Sequence, residues 1–330
     1  METIAQSIPA EHQDVWEGMV NFDFAKAYGK VTTAEVLEVK GHRLQPTFPA
    51  EGIEYAMDNW TPKNGDVFVA SFPRTGTNWT TEIVRQIIYG RDPEKMKIAK
   101  SIPLPLMLLE GGLANKFKIA NHIPIPRMVV ATHLPATLIN VDKFTQANAK
   151  FICVVRNPKD QILSWFHFAK KLPYLHLEPI RDLFQCDWEQ FFDNYTTGKQ
   201  PIGLKEGQWY LDHLLTWNEH KQNKNVYFVY FEDIKKDFVG EIHKMSRFLG
   251  VDLNDEEARE VAMNCGFGKM QQASADGTSD HDRVRGEIGV LRKGEIGGWK
   301  DKFTQAQSDE VDRQVREKLG KTDFRFTFEA

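Results

Sequence analysis

Four apolar runs rich in β-branched residues interrupt a chain whose other segments mostly follow helical spacing. DVFVASF (66–72), RMVVAT (127–132), KFICVV (150–155) and NVYFVYF (225–231) lack the alternation of a half-exposed strand. They read as strands covered on both faces. Helical apolar spacing predicts amphipathic helices over 77–89, 158–171, 205–222, 233–249 and 255–264. In the first, Ile83, Val84, Ile87 and Ile88 share a face and Gly90 marks the end. This alternation predicts an α/β fold, a parallel sheet flanked by helices. The stretch SIPLPLMLLEGGLANKFKIANHIPIP (101–126) is apolar but broken by prolines and glycines. It reads as a long connection packed over something, a kind of segment that often covers ligands. There is no composition break, Gly/Ser linker or internal repeat. Residues 46–330 are therefore expected to form a single domain, and 1–45, where signals are weak, an N-terminal extension without an assigned role.

With 330 residues, 41% of them hydrophobic and 27% charged, the chain can bury a substantial core. A formal charge of −4 argues against a nucleic-acid partner, so any anion site has to be local. Cys153, Cys186 and Cys265 are far apart and show no C-x-x-C spacing, which points to a reducing, cytoplasmic setting. METIAQSIPAEHQDVW lacks a basic start followed by an apolar run, and no apolar segment is long enough to span a bilayer, so no membrane association is expected. No metal-ligand cluster is evident; the D-H-D of 280–282 is expected to be a solvated loop.

Chemistry concentrates where predicted strands end. In SFPRTGTNW (71–79) a strand gives way to a turn at Gly76 and then to a helix. At such a junction unpaired N–H groups and the positive end of the helix dipole converge, which suits an anion. The loop is not a Walker A sequence, which needs a second glycine followed by lysine. VVRNPKDQILSWFHF (154–168) places Arg156 at another strand end, with Ser164 two helical turns beyond. THLP (132–135) puts His133 at the same edge, where open α/β sheets bind ligands. LRKGEIGGWK (291–300) is a glycine-spaced basic loop suited to a second anion. Each has an ordinary alternative: a βα turn with a surface arginine, a structural histidine, a solvated turn. Their occurrence together and in this order is much harder to attribute to chance.

Taken together, these stretches resemble the cytosolic sulfotransferases. SFPRTGTNW matches a TYPKSGTTW-like phosphosulfate loop, ATHLP a KTHLP-like strand end, VRNPKDQILSWFHF an ARN-x-KD-x-x-x-S-x-x-HF-like segment, and RKGEIGGWK an RKG-x-x-G-x-WK loop. The resemblance runs from about residue 46 to the C-terminus. It implies the P-loop, nucleotide-kinase-like sulfotransferase fold and the donor cosubstrate 3′-phosphoadenosine 5′-phosphosulfate, without a metal. It further implies that Arg74, Thr75, Gly76, Thr77 and Asn78 hold the 5′-phosphosulfate, with Arg74 also acting in catalysis. Trp79 and Phe267 would pack on the adenine, and Phe231 would stand near the nucleotide. Arg156, Ser164, Arg292, Lys293 and Gly294 would hold the 3′-phosphate. His133 would be the general base, a role that suits an imidazole near neutral pH.

Several positions depart from that pattern. Arg74 stands in place of a lysine, spreading its charge over a planar fork. Ala131 replaces the lysine two residues before the histidine, Phe231 replaces a tyrosine, and Cys265 and Gly266 replace Thr-Ser. The dimerisation pattern K-x-x-x-T-V-x-x-x-E survives only as Lys300, Thr304, Gln305 and Asp309, so a homodimer formed by that route is in doubt. Two functions follow: an active sulfotransferase, or a sulfotransferase-like protein that binds nucleotide and a small ligand without efficient turnover. A nucleotide kinase ranks far below, for want of a Walker lysine and a Mg²⁺-holding acidic pair. Residues 101–109 with Phe166, Phe168, Tyr174 and Leu175 suggest a hydrophobic alcohol or phenol as acceptor, although they are also ordinary core material.

Overall fold

A computed structural model describes residues 2–22, 36–46, 48–277 and 293–329, together with Ser279, Asp282, Arg283, Gly286 and Leu291. The four predicted strands form one parallel sheet. Numbered after the N-terminal hairpin β1 (Leu37–Val39) and β2 (His42–Leu44), they are β3 (Val67–Ser71), β4 (Val129–Thr132), β5 (Lys150–Val155) and β6 (Val226–Tyr230). Their spatial order is β4-β3-β5-β6. Every residue of β3 is buried, and so is all of β5 beyond Lys150, as expected of strands covered on both faces. Alternate residues feed different cores: Phe68, Ala70, Phe151 and Cys153 join one, and Val67, Val69, Ile152 and Val154 another. A third packs Val155, Ile162, Trp165 and Tyr210.

The chain leaves β3 towards β4 and leaves β5 towards β6, so connections diverge between the two central strands. Ligand crevices of open α/β sheets form at such a divide, beyond the carboxyl ends of the strands. The helices that start there are α1 (Thr77–Tyr89) after β3 and α2 (Pro158–Ala169) after β5. Further along lie α3 (Tyr210–Asn218), α4 (Phe231–Lys236), α5 (Phe238–Leu249), α6 (Asp255–Asn264), α7 (Phe267–Asp276) and α8 (Gln305–Leu319). The predicted helix 233–249 is two helices: α4 ends at Asp237, whose carboxylate accepts the Gly240 N–H and caps α5.

The N-terminal residues are part of the main core. Ile4, Ile8, Val15, Trp16, Val39 and Leu44 are buried in the same cluster as Phe68 and Phe151. The β1–β2 hairpin is tied down through Arg43, which exchanges backbone hydrogen bonds with Gly203 and Leu204. Asp282, expected to be solvated, is buried, because its carboxylate accepts the Ser279 hydroxyl and its N–H donates back to the same oxygen. Asp280 and His281 lie outside the described residues. Thr304 serves as the cap of α8 in a capping box with Gln307, while Gln305 is exposed and donates to Asp309 at 2.8 Å. Among the described residues no helix is long and apolar enough to cross a membrane.

The connection 101–126 is wrapped around a buried lysine. The Lys116 ammonium donates to the carbonyls of Pro105 (3.0 Å), Leu108 (2.6 Å) and Leu109 (2.8 Å) and to that of Gly111. Burial pushes this amine down to about 7, opposed by the nearby Glu110 carboxylate. The surrounding carbonyl dipoles favour the charged form as Glu110 does. Leu109 also donates its N–H to Ala131 of β4, so this segment is stitched to the sheet edge. Replacing the lysine leaves several buried carbonyls without a donor, each costing about 1–3 kcal/mol. Lys116→Met should therefore lose about 3 kcal/mol or more of unfolding free energy, read as a lowered urea midpoint. An unchanged midpoint would show that the amine does not hold the segment.

Candidate functional site

The turn after β3 is closed by Thr75. Its hydroxyl and N–H both donate to the Phe72 carbonyl, at 2.8 and 3.2 Å. Thr75 is thus fully buried and shapes the loop from inside. Two positive-φ residues flank it. Arg74 sits at φ 71, a left-handed conformation that costs a non-glycine residue about 1 kcal/mol. Gly76 sits at φ 121, and a Cβ there would lie 3.0 Å from the Phe231 ring. Glycine at this position is required by both conformation and space. Gly76 offers no capping side chain to α1, and the first N–H groups of a helix have no acceptor within it.

The loop after β5 clasps the first. Arg156 is buried, and its guanidinium donates to the Arg74 carbonyl at 2.9 Å and to the Glu295 carbonyl at 3.3 Å. It also lies 4.4 Å from the centre of the Phe231 ring. The Tyr210 hydroxyl fixes its backbone, accepting the Arg156 N–H at 2.8 Å and donating to the Arg156 carbonyl at 2.9 Å. The Arg74 guanidinium in turn donates to the Ser164 hydroxyl at 3.1 Å and stacks 4.7 Å over Phe168. Asp160 anchors the basic C-terminal loop, its carboxylate accepting the N–H groups of Gly297 (2.8 Å) and Trp299 (2.9 Å). Gly294 has φ 65 and faces Phe267, which a Cβ would approach to 3.3 Å. Trp79 is braced edge-on by Phe231 and Phe238 and donates its indole N–H to the Cys265 carbonyl at 2.9 Å.

These loops enclose an open cleft. Of the residues named from sequence, Arg74, Gly76, Thr77, Asn78, Trp79, Arg156, Ser164, Phe231, Phe267, Lys293 and Gly294 line it. Thr75 and His133 do not, and Arg292 lies outside the described residues. Lys235, Met270 and Leu291 also line the cleft and escaped the sequence reading, as did Asp160. The Lys235 ammonium is 5.9 Å from the Trp79 ring, a contact across two helices that no local pattern marks. Leu106 and Leu109 are buried in one core, and Phe166, Tyr174 and Leu175 in another.

His133 follows β4 and is half-buried. Its Nδ1 lies 2.7 Å from the Ser71 carbonyl. A carbonyl only accepts, so Nδ1 carries the hydrogen and, in the neutral ring, Nε2 carries the lone pair. The Ser71 hydroxyl is 2.7 Å from the Thr77 hydroxyl, so one residue of β3 touches both the histidine and the cleft wall. His213 beside it donates Nε2–H to the Leu134 carbonyl at 3.1 Å. Burial pushes its imidazole down to about 3, which keeps a second positive charge away from His133.

Glu232 underlies the clasp. It accepts the Asn157 N–H at 2.8 Å, and burial pushes its carboxyl up to about 7, against the opposing pull of that N–H and of Arg156. An unfolded glutamate releases its proton near the ordinary value of 4.5. Between 4.5 and 7 the folded chain therefore holds a proton that the unfolded chain has lost, and this contribution to stability falls as pH rises. Glu232→Gln removes the effect. Its stability relative to wild type should climb by roughly 1 kcal/mol per pH unit across that window, measured by denaturant unfolding. A flat difference would mean that Glu232 is ionised throughout.

A parallel sheet with a glycine turn and a helix start at its divide is a P-loop-like α/β fold. A sulfotransferase domain matches residues 64–323. The chain is 31% identical over 273 residues to sulfotransferase 6B1 of Mus musculus, covering 81% of this chain and 80% of that protein. It is 32% identical over 293 residues to the amine sulfotransferase of Oryctolagus cuniculus, covering 86% and 90% respectively. The structure superposes on mouse sulfotransferase SULT7A1 complexed with PAP with a TM-score of 0.69 at 29% identity, covering 87% of this chain and 96% of that one. Retinol dehydratase, in complex with androsterone and PAP, shares the fold with a TM-score of 0.66 at 23% identity. The chain belongs to the cytosolic sulfotransferase family and is a sulfotransferase.

Proposed function

We propose that this sulfotransferase acts in the cytoplasm, moving the sulfuryl group of 3′-phosphoadenosine 5′-phosphosulfate to a hydroxyl or amine of a small, hydrophobic acceptor. His133 is the general base. The observation that carries this reading is the pair of contacts made by Ser71, whose carbonyl orients the His133 ring and whose hydroxyl meets Thr77 on the cleft wall. The lone pair of Nε2 is thereby left to take the acceptor's proton. The cleft fits an adenine nucleotide bearing two anionic groups: aromatic rings at Trp79 and Phe267, and cations at Arg74, Arg156 and Lys293. Arg74, Gly76, Thr77 and Asn78 take the 5′-phosphosulfate. Arg156, Ser164, Arg292, Lys293 and Gly294 take the 3′-phosphate. When bound, the donor supplies the sulfuryl group; the protein supplies position, fixed charge and a proton acceptor.

A second reading, a nucleotide-binding protein with weak turnover, is favoured by one observation. The Arg74 guanidinium is engaged by Ser164 and Phe168, and no cation occupies position 131. Incubation with labelled donor and a panel of phenols, steroids and amines separates the two. Acceptor-dependent release of 3′-phosphoadenosine 5′-phosphate establishes catalysis, and silence across the panel favours the binding reading.

His133→Ala should cut turnover by about 10² or more while leaving nucleotide affinity nearly unchanged. Near-normal turnover in that variant would remove His133 from the base role. Arg156→Ala should weaken adenosine 3′,5′-bisphosphate far more than the 3′-dephospho nucleotide, since charge-assisted bonds to the 3′-phosphate are lost. Calorimetry showing equal weakening of both would exclude that contact.

A further inference from the structure

A carboxylate stands behind the histidine. Glu110 is 1% exposed, and both of its oxygens are engaged by the end of β4. Oε1 accepts the His133 N–H at 2.7 Å, and Oε2 accepts the Thr132 hydroxyl at 2.9 Å. That hydroxyl oxygen in turn accepts the Leu134 N–H at 3.2 Å. The ladder between β3 and β4 stops at the pair Ala70–Thr132, so the His133 N–H lies beyond the last strand pairing. Glu110 supplies the acceptor that a neighbouring strand no longer provides. One side chain thus fixes the His133 backbone directly and, through the Thr132 hydroxyl, that of Leu134.

Glu110 is itself held in place. The carbonyls of Leu108, Leu109 and Gly111 on either side of it converge on the Lys116 ammonium, which fixes the main chain that carries the carboxylate. The His133 side chain then has two fixed points: its main chain on Glu110 and its Nδ1–H on the Ser71 carbonyl. Together they set the position of Nε2.

We propose that Glu110 is a positioning residue for sulfuryl transfer, aiming the His133 imidazole through the hydrogen bond it accepts from that residue's backbone; this rests on the reading of His133 as the base. Glu110 does not line the cleft. It acts on the rate, because a misplacement of about 1 Å in a catalytic group costs on the order of 10²-fold.

The test separates position from folding and from charge. Glu110→Ala should lower kcat by about 10- to 100-fold, with KM for the donor and the stoichiometry of adenosine 3′,5′-bisphosphate binding unchanged. Glu110→Gln keeps the reach, accepting from His133 through its oxygen and turning its amide towards the Thr132 hydroxyl, and should recover most of that loss. Glu110→Asp keeps the charge but withdraws it by one methylene, and should stay slow; it replaces the alanine variant if that one does not fold. The proposal is overturned if Glu110→Ala or Glu110→Asp turns over like wild type while His133→Ala is inactive, or if Gln is as slow as Ala. Normal turnover by His133→Ala is a separate outcome: it removes the base reading, and this proposal with it.

Discussion

The guanidinium of Arg156 joins the parts of the cleft to one another. It reaches from the end of β5 to the Arg74 carbonyl in the loop after β3, to the Glu295 carbonyl in the C-terminal loop, and across the face of Phe231. A planar cation with five donors can meet several acceptors and a ring at once, as an ammonium cannot. Its backbone is fixed in turn by Tyr210 and, one residue on, by Glu232. Three segments far apart in sequence are thereby brought to a common edge. The open side of that edge is the cleft.

The same economy of charge runs through the site. A chain of net charge −4 keeps Arg74, Arg156, Lys235 and Lys293 around one cavity and stations carboxylates behind it. Asp160 holds the C-terminal loop by its N–H groups, and Glu110 holds the strand end beside His133. Asp160 holds main-chain donors of the C-terminal loop, and Glu110 a main-chain N–H and a hydroxyl. The gathering of cations at the cleft is local and does not follow from the overall charge balance.

The sheet and the first helix after it were legible because burial on both faces removes the need for alternation, and because Gly76 and Gly90 bracket a clean apolar stripe. The predicted helix 77–89 coincides with α1. The break at Asp237 was missed because the apolar spacing continues through it, while the cap it makes is a side-chain bond that periodicity does not register. At the site, residues in contiguous stretches were found and residues acting across space were not. Thr75 belongs to the loop by sequence but turns inward. Asp160 and Glu110 were overlooked although each lies inside a recognised segment, since each holds main-chain donors elsewhere in the chain and a main-chain donor leaves no mark in sequence.

Among the described residues, the hydrogen bonds that Lys116 donates all go to main-chain oxygens. An anchor of that kind specifies the path of the chain and leaves the choice of side chain to the packing around it. Leu106, Met107 and Leu109 are buried in the main core, so their identities answer to that core, while the turn that carries Glu110 answers to the amine. The protein thus separates two demands that often conflict: the route of the loop behind the histidine is set by one buried cation, and the filling of the adjacent core by the side chains along it.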